Sequence, residues 1–308
     1  MSQADDGADP VFDARMPAPG ATETLSPLIR RRVAGNAGPF TAGGTCTYVV
    51  GRGRVAVIDP GPDDAAHIDA LLADLGDERV TDIVVTHSHR DHTPGARLLR
   101  ARTGAPIVGC GPHRPARPLA PGERALLDAG ADRDHRPDRE LADGETLSGD
   151  GWTLQAVATP GHTMNHLAFA LPEENVLFSG DHVMAWSTSV VAPPDGSMRA
   201  YMASLDALRA RPETIYWPGH GGPVRDPARF VRGLLSHRRQ REAAIRARVA
   251  AGDTGIRAIV AAIYQGLDPR LAGAAALSVL AHLEDLVERG LVHADGPPRL
   301  DAAYRPAA

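Results

Sequence analysis

Four side chains that can bind a metal stand within six residues of one another: His87, His89, Asp91 and His92 in THSHRDH. The segment follows an apolar β run, Val80–Thr86, and a tight turn at its end can point alternate side chains into one cavity. A solvated loop has no use for that spacing. Three further candidates also stand just past apolar β runs. His162 closes Thr159-Pro160-Gly161-His162, Asp181 follows Gly180, and His220 follows Pro218-Gly219. Open α/β sheets place their sites at such strand ends. Imidazole and carboxylate together suit zinc, and also iron or manganese. His166, four residues past His162, is a candidate to contact substrate or protonate a leaving group; its alternative is a structural hydrogen bond. Asp91 and Asp181 are the carboxylates expected to act in the chemistry.

The elements that would position these residues alternate between strand and helix. Short β runs at Thr45–Val50 and Val55–Asp59 precede a helix over Ala65–Leu75, with Asp63 or Asp64 at its start and Gly76 past its end. Strands are expected at Pro106–Gly109, Trp152–Ala158, Asn175–Ser179 and Thr214–Trp217. This is an α/β pattern. Residues 1–28, rich in Asp, Ala and Pro, read as a flexible tail. Residues 112–144 read as a surface insertion with one helix near Glu123–Asp128, and Met184–Tyr201 as one wall of a cleft. After about Phe230 the chain turns helical. An arginine-rich helix over 230–250 is followed by a helix capped by Asp253 or Thr254. A second helix ends at Gly290, and a hairpin of Leu291–His293 with Arg299-Leu300 closes the set. Helices and a hairpin in about 55 residues look like a winged helix. The expected layout is a tail over 1–28, a catalytic domain over 29–250 and a winged-helix-like domain over 251–308.

Composition narrows the chemistry. The 308 residues carry 33 basic and 38 acidic side chains, and every cation is arginine. Lysine Schiff bases, lysine general bases and P-loop lysines are therefore excluded. Two cysteines, Cys46 and Cys110, make no disulfide scaffold and no C-x-x-C pair. The polar, acidic start carries no secretory signal pattern, and no apolar run is long enough to span a membrane. The expectation is a cytoplasmic protein without membrane partners.

With Asp59 in VAVIDPG, then THSHRDH, TPGH, SGDH and PGHG in order, the sequence resembles the metallo-β-lactamase superfamily over about residues 30–235. The resemblance implies an αββα sandwich with the small winged-helix-like domain appended. It implies that His87, His89 and His162 hold one metal, that Asp91, His92 and His220 hold a second, and that Asp181 bridges them. Asp59 would hold ligand histidines by hydrogen bonds. Two Zn2+ are expected, with iron or manganese as alternatives. The implied activity is hydrolysis by a metal-bridging hydroxide. AGNAGPFTAGGTCTYVVG, HRRQREAAI and the trailing winged helix look like the β-lactamase-like protein 2 group, which includes an endoribonuclease acting on single-stranded RNA. Cys46 stands where that group usually has Asn.

The substrate is unknown at this level, a small molecule or single-stranded RNA. A glyoxalase II-like thioesterase or lactonase is the alternative, and a nucleic-acid-binding regulator with a vestigial hydrolase domain is the reading of another class. Residues 253–308 carry seven acids against five arginines, a net charge of −2. Phosphate backbones require excess cations, so duplex DNA is not expected as a partner. The module should pack on the catalytic domain or support a homodimer.

Overall fold

The computed structural model describes residues 9–13, 15–119 and 130–307. The first half builds a seven-stranded sheet whose strands lie side by side in chain order. It runs β1 (Glu23–Thr24), β2 (Ile29–Val33), β3 (Cys46–Val50), β4 (Arg54–Ile58), β5 (Arg79–Val85), β6 (Ile107–Gly109) and β7 (Arg139–Glu140). Strands β1 to β4 pair antiparallel, and β4 to β7 pair parallel. Two helices serve the parallel crossovers: α1 (Ala65–Leu75) joins β4 to β5, and α2 (Pro94–Thr103) joins β5 to β6. Asp64 caps α1, accepting hydrogen bonds from the amides of Ala66 and His67.

The second half builds a five-stranded sheet from β8 (Thr146–Gly149), β9 (Trp152–Ala158), β10 (Leu167–Leu171), β11 (Val176–Gly180) and β12 (Ile215–Pro218). Helix α3 (Met198–Leu208) lies between β11 and β12, which pair parallel. The 24-residue α4 (Pro227–Ala250) leads into the C-terminal module of α5 (Ile256–Ile263), α6 (Ala272–Glu288), β13 (Val292–Ala294) and β14 (Tyr304–Pro306).

Continuous runs such as CTYVV and IVV are buried on both faces, as parallel and sandwiched strands must be. One core joins Tyr48, Val57 and Ile83 of the first sheet to Leu154, Phe169 and Phe178 of the second, and takes in Ile68 and Leu71 of α1. A second core covers the far side of the second sheet, where Ala168, Leu177 and Tyr216 meet Tyr201 and Leu205 of α3 and Val231 and Leu234 of α4. The order is helix, sheet, sheet, helix. The C-terminal module has its own core around Ile259, Leu280, Leu283 and Tyr304.

The structure corrects several sequence expectations. The hairpin's second strand is Tyr304–Pro306, not Arg299-Leu300, because the buried Tyr304 side chain accepts from the Arg299 amide and donates to its carbonyl, closing the intervening loop. Helix α5 begins after Gly255 without a side-chain cap, since Asp253 is bound by Arg248. Part of the stretch read as a flexible tail carries structure: β1 pairs with β2, and Phe12 meets Phe230 edge-on at 6.0 Å. The insertion contributes β7 and buries Asp132 and His135. The helix expected near Glu123–Asp128 lies outside the described residues.

Candidate metal centre

The seven predicted side chains converge. His87, His89 and His162 bring ring nitrogens within 4.8 Å of one another, and Asp91, His92, Asp181 and His220 form a second such group. Nδ1 of His89 lies 3.1 Å from Nε2 of His87 and 3.0 Å from Nε2 of His162. Nε2 of His92 lies 3.2 Å from Nε2 of His220. Nitrogens around one tetrahedral zinc stand roughly 3.3 Å apart, so these spacings suit rings aimed at common centres. Asp181 faces both groups: its carboxylate is 3.7 Å from His162, 3.6 Å from His92 and 3.4 Å from His220. Its Oδ1 is buried without a hydrogen-bond partner. A buried carboxylate oxygen left unpaired is costly, and a cation would satisfy it. The donor set fits divalent metals, and the cluster is able to bind them.

The turn after β5 supplies four of the seven residues, and the loops that follow β9, β11 and β12 each supply one more. Backbone approach at the last of these is close. A Cβ on Gly219 would stand 2.5 Å from Oδ1 of Asp181 and 2.8 Å from Cε1 of His92. Asp59 follows β4 in the left-handed region, at φ 49°. Its carboxylate receives the Thr86 amide (2.8 Å) and hydroxyl (2.7 Å) and holds Nδ1 of His92 at 2.9 Å. A carboxylate behind a ligand histidine fixes its tautomer and ring orientation. The carbonyl of Val190 does the same for Nδ1 of His162 at 2.6 Å.

Electrostatics divide the cluster. Burial holds His87 well below the usual imidazole range, pulls His89 down to about 3 and lowers His162. Neutral imidazole is the form that binds metal. At His92 and His220 burial opposes the charge but is outweighed by Asp91 and Asp181, with Asp59 adding at His92. His92 is held well above its ordinary range and His220 is raised to about 9. Burial would raise Asp91 and Asp181, yet the neighbouring histidines keep both well below the usual carboxylate range. The pocket therefore draws positive charge, as protons or as metal.

In its geometry His166 fits the alternative reading, a structural hydrogen bond. It is buried, its Nδ1 lies 2.7 Å from Oγ1 of Thr159, and its Nε2 accepts the Asp181 amide at 3.1 Å. Both ring nitrogens serve the fold, and the ring props the backbone of Asp181. Sequence reasoning missed Ser189 and Val190, whose backbone and hydroxyl support the centre and which carry no motif. Cys46 is a buried core residue, and burial pushes its thiol up to about 11.

Residues 41–220 match the model of the metallo-beta-lactamase superfamily. The chain belongs to the metallo-beta-lactamase superfamily. Residues 256–297 match the beta-lactamase associated winged helix domain, which identifies the C-terminal module. Among curated relatives of this superfamily member, an atrochrysone carboxyl ACP thioesterase of Paecilomyces divaricatus is 33% identical over 232 residues, covering 74% of this chain and 67% of the relative. A beta-lactamase-like protein 2 homolog of Caenorhabditis elegans is 34% identical over 224 residues, covering 71% of this chain and 70% of that one. The thioesterase pkgB of Emericella nidulans is 33% identical, and the match spans 61% of its length. Of solved structures, a metallo-beta-lactamase family protein of Thermus thermophilus superposes with a TM-score of 0.74 at 26% identity, covering 92% of this chain and 100% of that one. The chain is a hydrolase of this superfamily, with a His/Asp cluster able to bind metal.

Proposed function

We propose that this hydrolase uses two zinc ions to cleave acyl thioesters. His87, His89 and His162 would hold one ion, Asp91, His92 and His220 the other, and Asp181 would lie between them. When bound, two such cations supply Lewis acidity and a water acidic enough to ionise near neutral pH. The chain's own residues do the rest. Asp59 and Thr86 lock His92 with Nε2 inward. Asp91 is 27% exposed and, with the half-buried His89, marks the side on which the cage opens. At that mouth an Asp91 oxygen can orient the attacking water by accepting one of its hydrogens.

The observation that favours a thioester is the sealing of His166. Its nitrogens are both engaged, so it cannot protonate a leaving group. A departing thiolate, whose conjugate acid has a pKa of roughly 8.5, needs no such proton. An alkoxide leaving from a phosphodiester does. The relatives named thioesterases support the same choice. Single-stranded RNA takes second place. Several arginines of α4 that would have favoured it are engaged elsewhere: Arg238 is buried, Arg241 stacks on Tyr264 and Arg248 pairs with Asp253. For location we keep the cytoplasm, supported by two free cysteines.

The test is thiol release from an acyl-pantetheine thioester by zinc-loaded protein, beside single-stranded RNA and an aryl ester. Thioester turnover that vanishes on chelation and returns with zinc is expected. Cleavage of RNA with the thioester left intact would overturn the reading.

A further inference from the structure

The metal centre is braced from behind by a segment that belongs to two cores at once. On its backbone side, the Val190 carbonyl accepts from Nδ1 of His162 at 2.6 Å. The Ser189 hydroxyl donates to the carbonyl of Asp181. On its side-chain side, Ala192 belongs to the core of the C-terminal module and Val190 packs against that core. One face of this strip therefore touches the metal-binding residues and the other is embedded in the winged helix.

Arg238 of α4 closes the arrangement. It is 3% exposed. Its Nη2 donates to the Ser189 carbonyl, its Nη1 lies 3.4 Å from the Ser278 hydroxyl on α6, and its guanidinium lies 5.2 Å over the Tyr201 ring. Among the described residues these are its partners; none is a carboxylate, and its Nε has no hydrogen-bond acceptor. Burying a cation without a counter-charge is costly. A cation is an uncommon choice where only packing is needed. A charged donor on a backbone carbonyl is also a strong way to fix that carbonyl's position.

We propose that Arg238 is a positioning residue for the metal centre: by clamping Ser189 against α6 it sets the His162 ring and the Asp181 backbone, and so makes the C-terminal module part of the metal-binding apparatus. The inference rests on the metal centre of the proposed function, and not on its thioester substrate. It gives the winged helix a role that requires no nucleic acid.

The experiment is zinc affinity of the full-length protein, measured by competition with a chromophoric chelator, together with the cobalt(II) absorption bands of the substituted centre. Arg238→Met should weaken zinc binding by about tenfold or more, at the low end of what loss of support behind a ligand costs, and should shift the cobalt bands. Arg238→Lys keeps one donor for Ser189 but not the fork, so it should fall between Met and wild type. Arg241→Met removes the stacking of Arg241 on Tyr264 (4.4 Å) from the same helix. It should lower the melting temperature while leaving the Ser189–Arg238–Ser278 contacts in place, so that zinc affinity stays at the wild-type value. Unchanged affinity and bands in Arg238→Met overturn the proposal, as does an equal loss in Arg241→Met. Should Arg238→Met fail to fold, Arg238→Lys decides alone. A loss of zinc affinity in that variant with its melting temperature unchanged from wild type supports the role, and unchanged affinity ends it. A protein that binds zinc normally yet leaves thioesters intact would sink the proposed substrate without touching this assignment.

Discussion

Asp59 commits both carboxylate oxygens to groups behind the centre, so its removal should loosen His92 without deleting a ligand. Asp59→Ala is expected to lower zinc affinity by about 10–100-fold, read by chelator competition. Asp181→Ala should go further. Bound metal should fall below two per chain and hydrolysis should be lost, while the circular dichroism spectrum keeps its wild-type shape. Near-normal turnover in that variant would contradict a bridging role for Asp181. The ligand residues were legible because their spacing follows strand ends. His166 was not, since what decides its role is the Thr159 hydroxyl and the Asp181 amide, seven and fifteen residues away. A second histidine gives a pH signature away from the metal. Burial on α6, with Arg238 and Arg241 nearby, pulls His282 from 6.5 to about 3. Its unfolded form therefore binds the proton first. Its neutral burial supports the fold fully above about 6.5, and that support is lost as pH falls from there toward 3. The slope reaches about 1.4 kcal/mol per pH unit. Urea unfolding between pH 7 and 5 should show a shallower slope in His282→Leu than in wild type; equal slopes would refute the assignment.

At the scale of elements, the loops between strands carry the centre, and one of them tolerates no side chain. Gly161 precedes His162 at φ 144°, and a Cβ there would stand 2.3 Å from Cα of Tyr201 on α3. Because backbone opposes backbone, Gly161→Ala should destabilise the protein by at least about 1–3 kcal/mol. Thermal unfolding reads this directly, and an unshifted melting temperature would show that α3 yields. The apolar strands β3, β5 and β9 were plain in the sequence. Strand β2 was not, because IRRRV reads as a charged run. Arg30 and Arg32 find Glu78 and Asp74 on neighbouring elements, while Ile29 and Val33 turn inward with Arg31 buried between them, paired with Glu23 and lying over Trp217. Strand β10 was missed for the opposite reason, since LAFAL is too short for apolar runs to tell strand from helix.

Across the whole molecule, the acidic balance of the C-terminal module is absorbed by the fold. Glu284 pairs with Arg117, Asp285 and Glu288 with Arg199, and Asp253 with Arg248. The acids of α6 thus face arginines of the catalytic domain, and the module itself keeps its net charge of −2, which disfavours it as a seat for a phosphate backbone. A duplex DNA probe mixed with the full-length protein near 0.15 M salt should migrate unshifted on a native gel, and a shifted band would revive the regulator reading. The α/β pattern was readable from the strand–helix alternation, and the two-sheet sandwich only through the family resemblance. That the module packs on the catalytic domain was one of two expectations, but the contacts that seat it were not readable, because they join residues far apart in the chain. The burial of both cysteines has a practical side. Cys46 and Cys110 are shut inside the first core at 0% and 1% exposure. In the proposed thioester assay, a disulfide dye added to the folded protein will therefore register only thiol released from the acyl-pantetheine probe. The same dye, after urea, will count two thiols per chain, so one cuvette can follow both turnover and the intactness of the fold.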